Sequence, residues 1–306
     1  VPPVGPDGRY SFAAVLADPD TSEFISDISF APFTIGCLGH TDYYVDPEAG
    51  DDAGDGSKDS PWKTVTKALL SVQGSEKDPV TVRLAEGLYA RGANGETFPL
   101  NMKSFVSIVG EHRATTILDA EHTARVITCE GVTGLTLEGL TITGGLAADE
   151  QGFGGGIYCD GSSLRIENNI ISGNQAQSTN IMPSYGGGIH CYDSSVVIVG
   201  NRIADNLSEG AGGGIYCCRS WVTIKNNTIT NNSASSYGGG VYCYCGTATF
   251  ENNSITGNSA SSDGGGVYCY YGTATFTGNT ITNTSASSGG GVDCRYGKAT
   301  FTGNTI

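Results

Sequence analysis

Basic side chains are scarce in this chain: 16 lysines and arginines stand against 31 aspartates and glutamates, for a net charge of −15. Nucleic acids and anionic membrane surfaces require a basic footprint, so neither is an expected partner. The deficit is uneven, because residues 1–150 carry 23 acids and 10 bases while residues 151–306 carry 8 and 6. Long apolar runs are also missing, and no stretch approaches the roughly 18 apolar residues of a membrane-spanning helix. The chain opens on no charged-then-apolar leader and stops at FTGNTI, midway through a repeat. It is therefore expected to be a trimmed piece of a longer protein with flanking domains.

Glycine, by contrast, is abundant at 46 residues, and it is placed regularly. GGGIYC (154–159) returns as GGGIHC (186–191), GGGIYC (212–217), GGGVYC (238–243), GGGVYC (264–269) and GGGVDC (289–294). The cysteines Cys129, Cys159, Cys191, Cys217, Cys243, Cys269 and Cys294 are spaced 30, 32, 26, 26, 26 and 25 residues apart. Ten residues after each cysteine from Cys159 onward comes Asn169, Asn201, Asn227, Asn253, Asn279 or Asn304. Fifteen after comes Asn174, Asn206, Asn232 or Asn258, and then Thr284.

Between these markers the sequence alternates as short strands do. Two residues before each cysteine is an aliphatic, Ile157 through Val292, so aliphatic and cysteine share the inward face. A second strand turns Leu164 and Ile166, Val196 and Ile198, Val222 and Ile224, Ala248 and Phe250, Ala274 and Phe276, and Ala299 and Phe301 inward. One inward position shrinks as the other grows, as an interior of constant volume demands. A third strand buries Ile171, Ile203, Ile229, Ile255 and Ile281. Three short strands in about 26 residues pair best with their equivalents one repeat later, which gives an all-β parallel β-helix with three strands per rung. Rungs then stack at about 4.8 Å. The asparagines form side-chain ladders at the corners, and the column cysteines Cys159, Cys191, Cys217, Cys243, Cys269 and Cys294 act as small apolar fillers of the interior. Cys218 and Cys245 lie off that column and are better placed for disulfide or thiol chemistry.

GGG[IV] followed by FENN (250–253) and FTGN (276–279, 301–304) resembles the GGA[ILV] and FxxN repeats of polymorphic outer-membrane proteins, which are surface adhesins. The resemblance covers roughly residues 151–306, with glycine where that family has alanine. YYVDPEAGDDAGDGSKDSPWKTVTKALLSV (43–72) is similar to the opening of secreted right-handed β-helix proteins of the pectate-lyase-like superfamily. This implies a right-handed helix with a short N-terminal capping helix, for which Ser60 is the expected N-cap and Pro61 the first helical residue, with Trp62, Val65 and Leu69 on one face. Residues 1–36 resemble the last strands of an immunoglobulin-like module and are expected to be the remnant of a preceding domain. The organisation expected is therefore a β-helix over 37–306, with a cap at 43–72, irregular rungs at 73–193 and regular rungs at 194–306.

Several surface groups are candidate sites. Asp46, Asp51, Asp52 and Asp55 supply hard oxygen ligands on a glycine-rich turn and are candidates for Ca²⁺. Tyr158, Tyr192, Tyr216, Tyr242, Tyr244, Tyr268 and Tyr270 flank the cysteine column and are expected to point outward as a strip for sugars. Glu130 and Asp160 share an outward column near His190, with Asp193 at the next turn, and are candidates for glycoside hydrolysis or lyase chemistry. Rows of Thr228 and Thr230, Ser254 and Thr256, and Thr280 and Thr282 resemble those of ice-binding β-helices. The function expected is that of an extracellular or cell-surface scaffold for adhesion or for binding a polysaccharide or other glycan. An enzyme acting on an acidic polysaccharide is the alternative, and ice binding a remote one.

Overall fold

The computed structural model describes residues 42–148, 152–178 and 183–306. The expected remnant at 1–36 lies outside the described residues. From Asp42 onward the chain winds into a parallel β-helix whose strands pair only with their equivalents in neighbouring rungs.

Three long sheets form the walls. One of 10 strands runs from Asp42–Val45 to Lys298–Thr302, and one of 8 strands carries the cysteines from Leu100–Asn101 to Val292–Arg295. The third, also of 8 strands, runs from Gly87–Tyr89 to Thr280–Thr282. A fourth ladder of 5 two-residue strands, Leu146–Ala147 to Ser259–Ala260, closes each rung before the glycine triplet. The three-strand reading did not include it, because two residues are too few to show an alternation.

The register follows the cysteines. Cys159 pairs with Cys129 and Cys191, and the column continues through Cys217, Cys243 and Cys269 to Cys294. All the inward aliphatics from Ile157 to Val267 and the third-strand isoleucines are buried. Where the second strand changes from Val and Ile to Ala and Phe, the rings of Phe250, Phe276 and Phe301 stack at 4.5 and 4.7 Å, nearly parallel. The spacings of 30 and 32 reflect an extra residue at Gly134, where the register shifts, and longer connections at the fourth ladder.

The ladder asparagines tie successive rungs together through their side chains. Asn253 Oδ1 accepts from the backbone N–H and the Nδ2 of Asn227 at 2.9 and 3.1 Å, and its own Nδ2 donates to the Ile224 carbonyl at 2.8 Å. Asn174, Asn206, Asn232 and Asn258 repeat this at the next corner. A third ladder, Ser162, Ser194 and Ser220, caps the corner after the cysteine strand until Gly246 replaces it.

The glycine triplet has a separate reason at each position, seen at 238–240. Gly238 is left-handed (φ 62°), and a Cβ there would lie 2.7 Å from the Cβ of Tyr242. A Cβ on Gly239 would meet the Ser259 carbonyl oxygen at 2.2 Å, and one on Gly240 the Gly266 carbonyl oxygen at 2.5 Å. The chain turns here with backbone stacked directly on backbone.

The helix Val65–Ser71 covers the first rung through Val65, Ala68 and Leu69, as expected. Its N-cap is Thr64, not Ser60, and Pro61 and Trp62 precede the helix. The difference arises because Asp52 ties down the preceding turn: Oδ1 accepts from Lys63 N and Thr64 N, and Oδ2 from the Thr64 hydroxyl. Buried Glu96 accepts from the first helical N–H groups, Val65 at 2.6 Å and Thr66 at 2.9 Å, a capping partner 31 residues away that no local pattern announces.

Candidate functional site

The outer face of the cysteine sheet presents two columns, because residues on either side of an inward cysteine both point out. The first column is Tyr158, His190, Tyr216, Tyr242, Tyr268 and Asp293, and the second is Glu130, Asp160, Tyr192, Cys218, Tyr244, Tyr270 and Arg295.

The first column is not the exposed strip that parity alone suggests. Tyr216, Tyr242 and Tyr268 are only 6%, 8% and 3% exposed. The residue before each glycine triplet forms a row of its own beside this face: Phe153, Tyr185 and Ala211 are bridged in one run and Tyr237, Asp263 and Ser288 in another. The three aromatic ones lie over the column residue of the next rung, with Phe153 on His190 at 4.7 Å, Tyr185 on Tyr216 at 4.4 Å and Tyr237 on Tyr268 at 5.1 Å. The result is a second apolar cluster outside the barrel, with Tyr192, Tyr244 and Tyr270 half-buried along its edge. Burial raises the pKa values of Tyr185, Tyr216 and Tyr242, and that of Tyr268 to about 12, so these phenols stay protonated as donors at neutral pH.

In this covering row Ala211 stands between Tyr185 and Tyr237, and Tyr242 beneath it has no ring laid over it from that position. An open cleft of about 400 Å³ results, lined by Tyr185, Tyr216, Tyr237, Tyr242 and Tyr244 with Pro183, Gly210, Ala211 and Ser236. Among the described residues no charged side chain lines it. Reading the alternation alone missed this cleft, although Ala211 departs visibly from the Tyr185 and Tyr237 positions.

The candidate catalytic residues are only partly brought together. Glu130 and Asp160 are register partners, exposed and half-buried respectively, and Tyr158 OH donates to Asp160 Oδ2 at 3.4 Å. Burial, then the charges of Asp160 and Glu130, push the Tyr158 pKa up to about 12. His190 is 2% exposed, packed between Phe153, Tyr158 and Tyr216, and its Nδ1 has no hydrogen-bond partner. Burial, with Arg125 nearby, lowers its pKa to about 3. It is a neutral member of the stack, not a base facing the two carboxylates. Asp193 lies around the corner in an ion pair with Arg219 at 2.9 Å. The cations on this face include Arg125, 5.3 Å from the Tyr158 ring centre, Arg219, and Arg295, which pairs with Asp263 and Asp293, whereas Arg165 and Arg202 lie on the other two sheets, paired with Glu167 and Asp205.

At the N-terminal turn the carboxylates act as local caps. Asp46 Oδ1 accepts from Glu48 N and Ala49 N, Asp51 Oδ1 from Ala53 N, Asp55 Oδ1 from Ser57 N, and Asp52 as described. Among the described residues no three His, Cys, Asp or Glu side chains converge as a ligand set. Thr228, Thr230, Ser254, Thr256, Thr280 and Thr282 do face outward in registered rows on the third sheet.

A family model described as right handed beta helix region matches residues 113–306. The chain belongs to that family. Residues 48–124 of this right-handed β-helix also match a family described as a protein of unknown function, DUF1565. No curated protein matches it in sequence. Among solved structures a rhamnogalacturonan lyase is similar, with TM-score 0.44 and 15% identity over 80% of this chain and 76% of that one. Pectin methylesterase from carrot follows, with TM-score 0.39 and 12% identity over 84% and 87%. A lacto-N-biosidase from Eubacterium ramulus gives TM-score 0.35 and 13% identity over 86% and 68%. At these identities the likeness is one of fold.

Proposed function

We propose that this β-helix is an extracellular or cell-surface scaffold that binds a polysaccharide, and that its contact point is the cleft at Ala211. The observation that carries the reading is the missing ring in the covering row. Two tyrosine rings, Tyr185 and Tyr237, flank a gap whose lining is aromatic, hydroxyl-bearing and uncharged. A sugar ring has apolar C–H faces that pack on aromatic rings and an equator of hydroxyls that hydrogen-bond to phenols held in the protonated form. With no cation among the described lining residues and a net charge of −15 on the chain, the cleft suits a neutral glycan better than a polyuronate.

The test is retention on immobilised polysaccharides, neutral and acidic, for the native chain and for Ala211→Tyr. The substitution restores the residue found at 185 and 237, so the fold is expected to hold while the cleft closes. Retention on a neutral glycan should fall at least tenfold. Unchanged retention in a folded Ala211→Tyr chain would remove the cleft from the reading, and binding of uronate polymers alone would reverse the preference for neutral sugar. A hydrolase or lyase reading keeps Glu130 and Asp160 as neighbouring carboxylates but has lost His190 as its base.

A further inference from the structure

Of the cysteines among the described residues, all but Cys218 and Cys245 belong to the interior column. Those two occupy positions that touch in other rungs. Tyr192, Cys218, Tyr244 and Tyr270 are successive register partners in the second outward column. Arg219, Cys245, Tyr271 and Tyr296 occupy the corner that follows, all left-handed with φ between 51° and 53°. In two of the three other rungs the corner residue reaches back to the column residue of the preceding rung, while Tyr271 packs on Tyr270 of its own rung. Arg219 Nη1 donates to the Tyr192 hydroxyl at 2.9 Å, with the guanidinium 5.3 Å from that ring's centre. Tyr296 meets the ring of Tyr270 edge-on at 5.3 Å. Advancing the Arg219 and Tyr192 pair by one rung of 26 residues gives Cys245 and Cys218. Both members of one such pair of positions are therefore cysteine.

The separation suits a bridge. Tyr244 is the register partner of Cys218, about 4.8 Å away, and the chain neighbour of Cys245, about 3.8 Å away, which places the two Cα atoms about 6 Å apart. Disulfides span Cα distances of roughly 4.4 to 6.8 Å. The interior cysteines differ in that they stack with parallel side chains inside the helix, whereas Cys245 is exposed at the corner and Cys218 is buried in the tyrosine cluster one rung before it.

We propose that Cys218 and Cys245 form a thiol–disulfide site that a small-molecule disulfide oxidises to a cross-rung bridge. The exposed Cys245 thiolate attacks one sulfur of the small disulfide, forms a mixed disulfide and releases one thiolate. Cys218, having lost its proton to solvent, attacks Sγ of Cys245 and expels the second thiolate. Two protein thiols are oxidised and the small disulfide is reduced to two thiols. Burial raises the Cys218 pKa, so the second step quickens as pH rises toward the alkaline range. Tyr244, which lines the cleft, lies between the two sulfurs in the chain and in the register, so the bridge forms on the cleft rim. The site stands independently of any glycan.

The test is to treat the folded chain with oxidised glutathione, unfold it in iodoacetamide, and map the peptides without reduction. The expected result is a single cross-link between the peptides holding Cys218 and Cys245, with every interior cysteine alkylated. Glutathione persisting on Cys245, alkylated Cys218 at saturating oxidant, or a link to an interior cysteine each overturns the proposal. The Cys218→Ser chain should trap glutathione on Cys245, and Cys245→Ser should leave Cys218 alkylated. Should either variant fail to fold, the map of the native chain decides alone.

Discussion

A histidine in place of a tyrosine gives the outer cluster its one titratable imidazole. His190 is neutral in the folded chain because burial lowers its pKa to about 3, whereas an unfolded chain takes up the proton near 6.5. The unfolded state thus binds more protons between those values, so this contribution is present above about pH 6.5 and is lost as pH falls toward 3. The slope is at most about 1.4 kcal/mol per pH unit for one group. His190→Tyr, which restores the residue at 158, 216, 242 and 268, should flatten the fall in melting temperature between pH 7 and pH 4. A variant that loses stability with acid as steeply as the native chain would refute this. The residue's identity was plain in the sequence. Its burial was not, because the ring that covers it, Phe153, comes from the preceding rung and 37 positions earlier.

Elements here are ladders, and a ladder is hurt most in its middle. Asn253→Ala leaves two donors of Asn227 and the Ile224 carbonyl without their partner in a buried corner. At roughly 1–3 kcal/mol for each buried group left unsatisfied, a loss of about 3 kcal/mol is expected after partial relaxation. Asn304→Ala, in a half-buried last rung, should cost about 1 kcal/mol or less by the same accounting. Urea midpoints would compare the two, and equal losses would show that the ladders do not act as drawn. A Cys218 to Cys245 bridge would add a covalent rung beside them, with about 3 to 4 kcal/mol expected from closing a loop of that length. The asparagine, isoleucine and cysteine columns were all legible as fixed spacings, because each contact joins equivalent positions. The covering row was illegible for the opposite reason: it joins unlike positions in successive rungs, Tyr185 to Tyr216 and Tyr237 to Tyr268, and no single period reports that offset.

At the largest scale, the strands of each described rung pair only with those of its neighbours, and Arg113 is a side chain that reaches further, to Asn168 and Gly200, so stability is close to a sum of rung and interface terms. Deleting residues 243–268 removes one full repeat and joins Tyr242 to Cys269 in phase. The shortened chain should keep its strand-rich circular dichroism and a cooperative melt; loss of either would mean that the rungs are not interchangeable. Ala211 takes on a further meaning in such a structure, since it is a defect in a one-dimensional lattice, and a defect can be moved. Exchanging the residues at 211 and 237 would shift the opening one lattice step, about 4.8 Å, toward the C-terminal end without touching the interior. The β-helix is in effect a ruler, graduated by its backbone and marked where a small side chain stands between two rings.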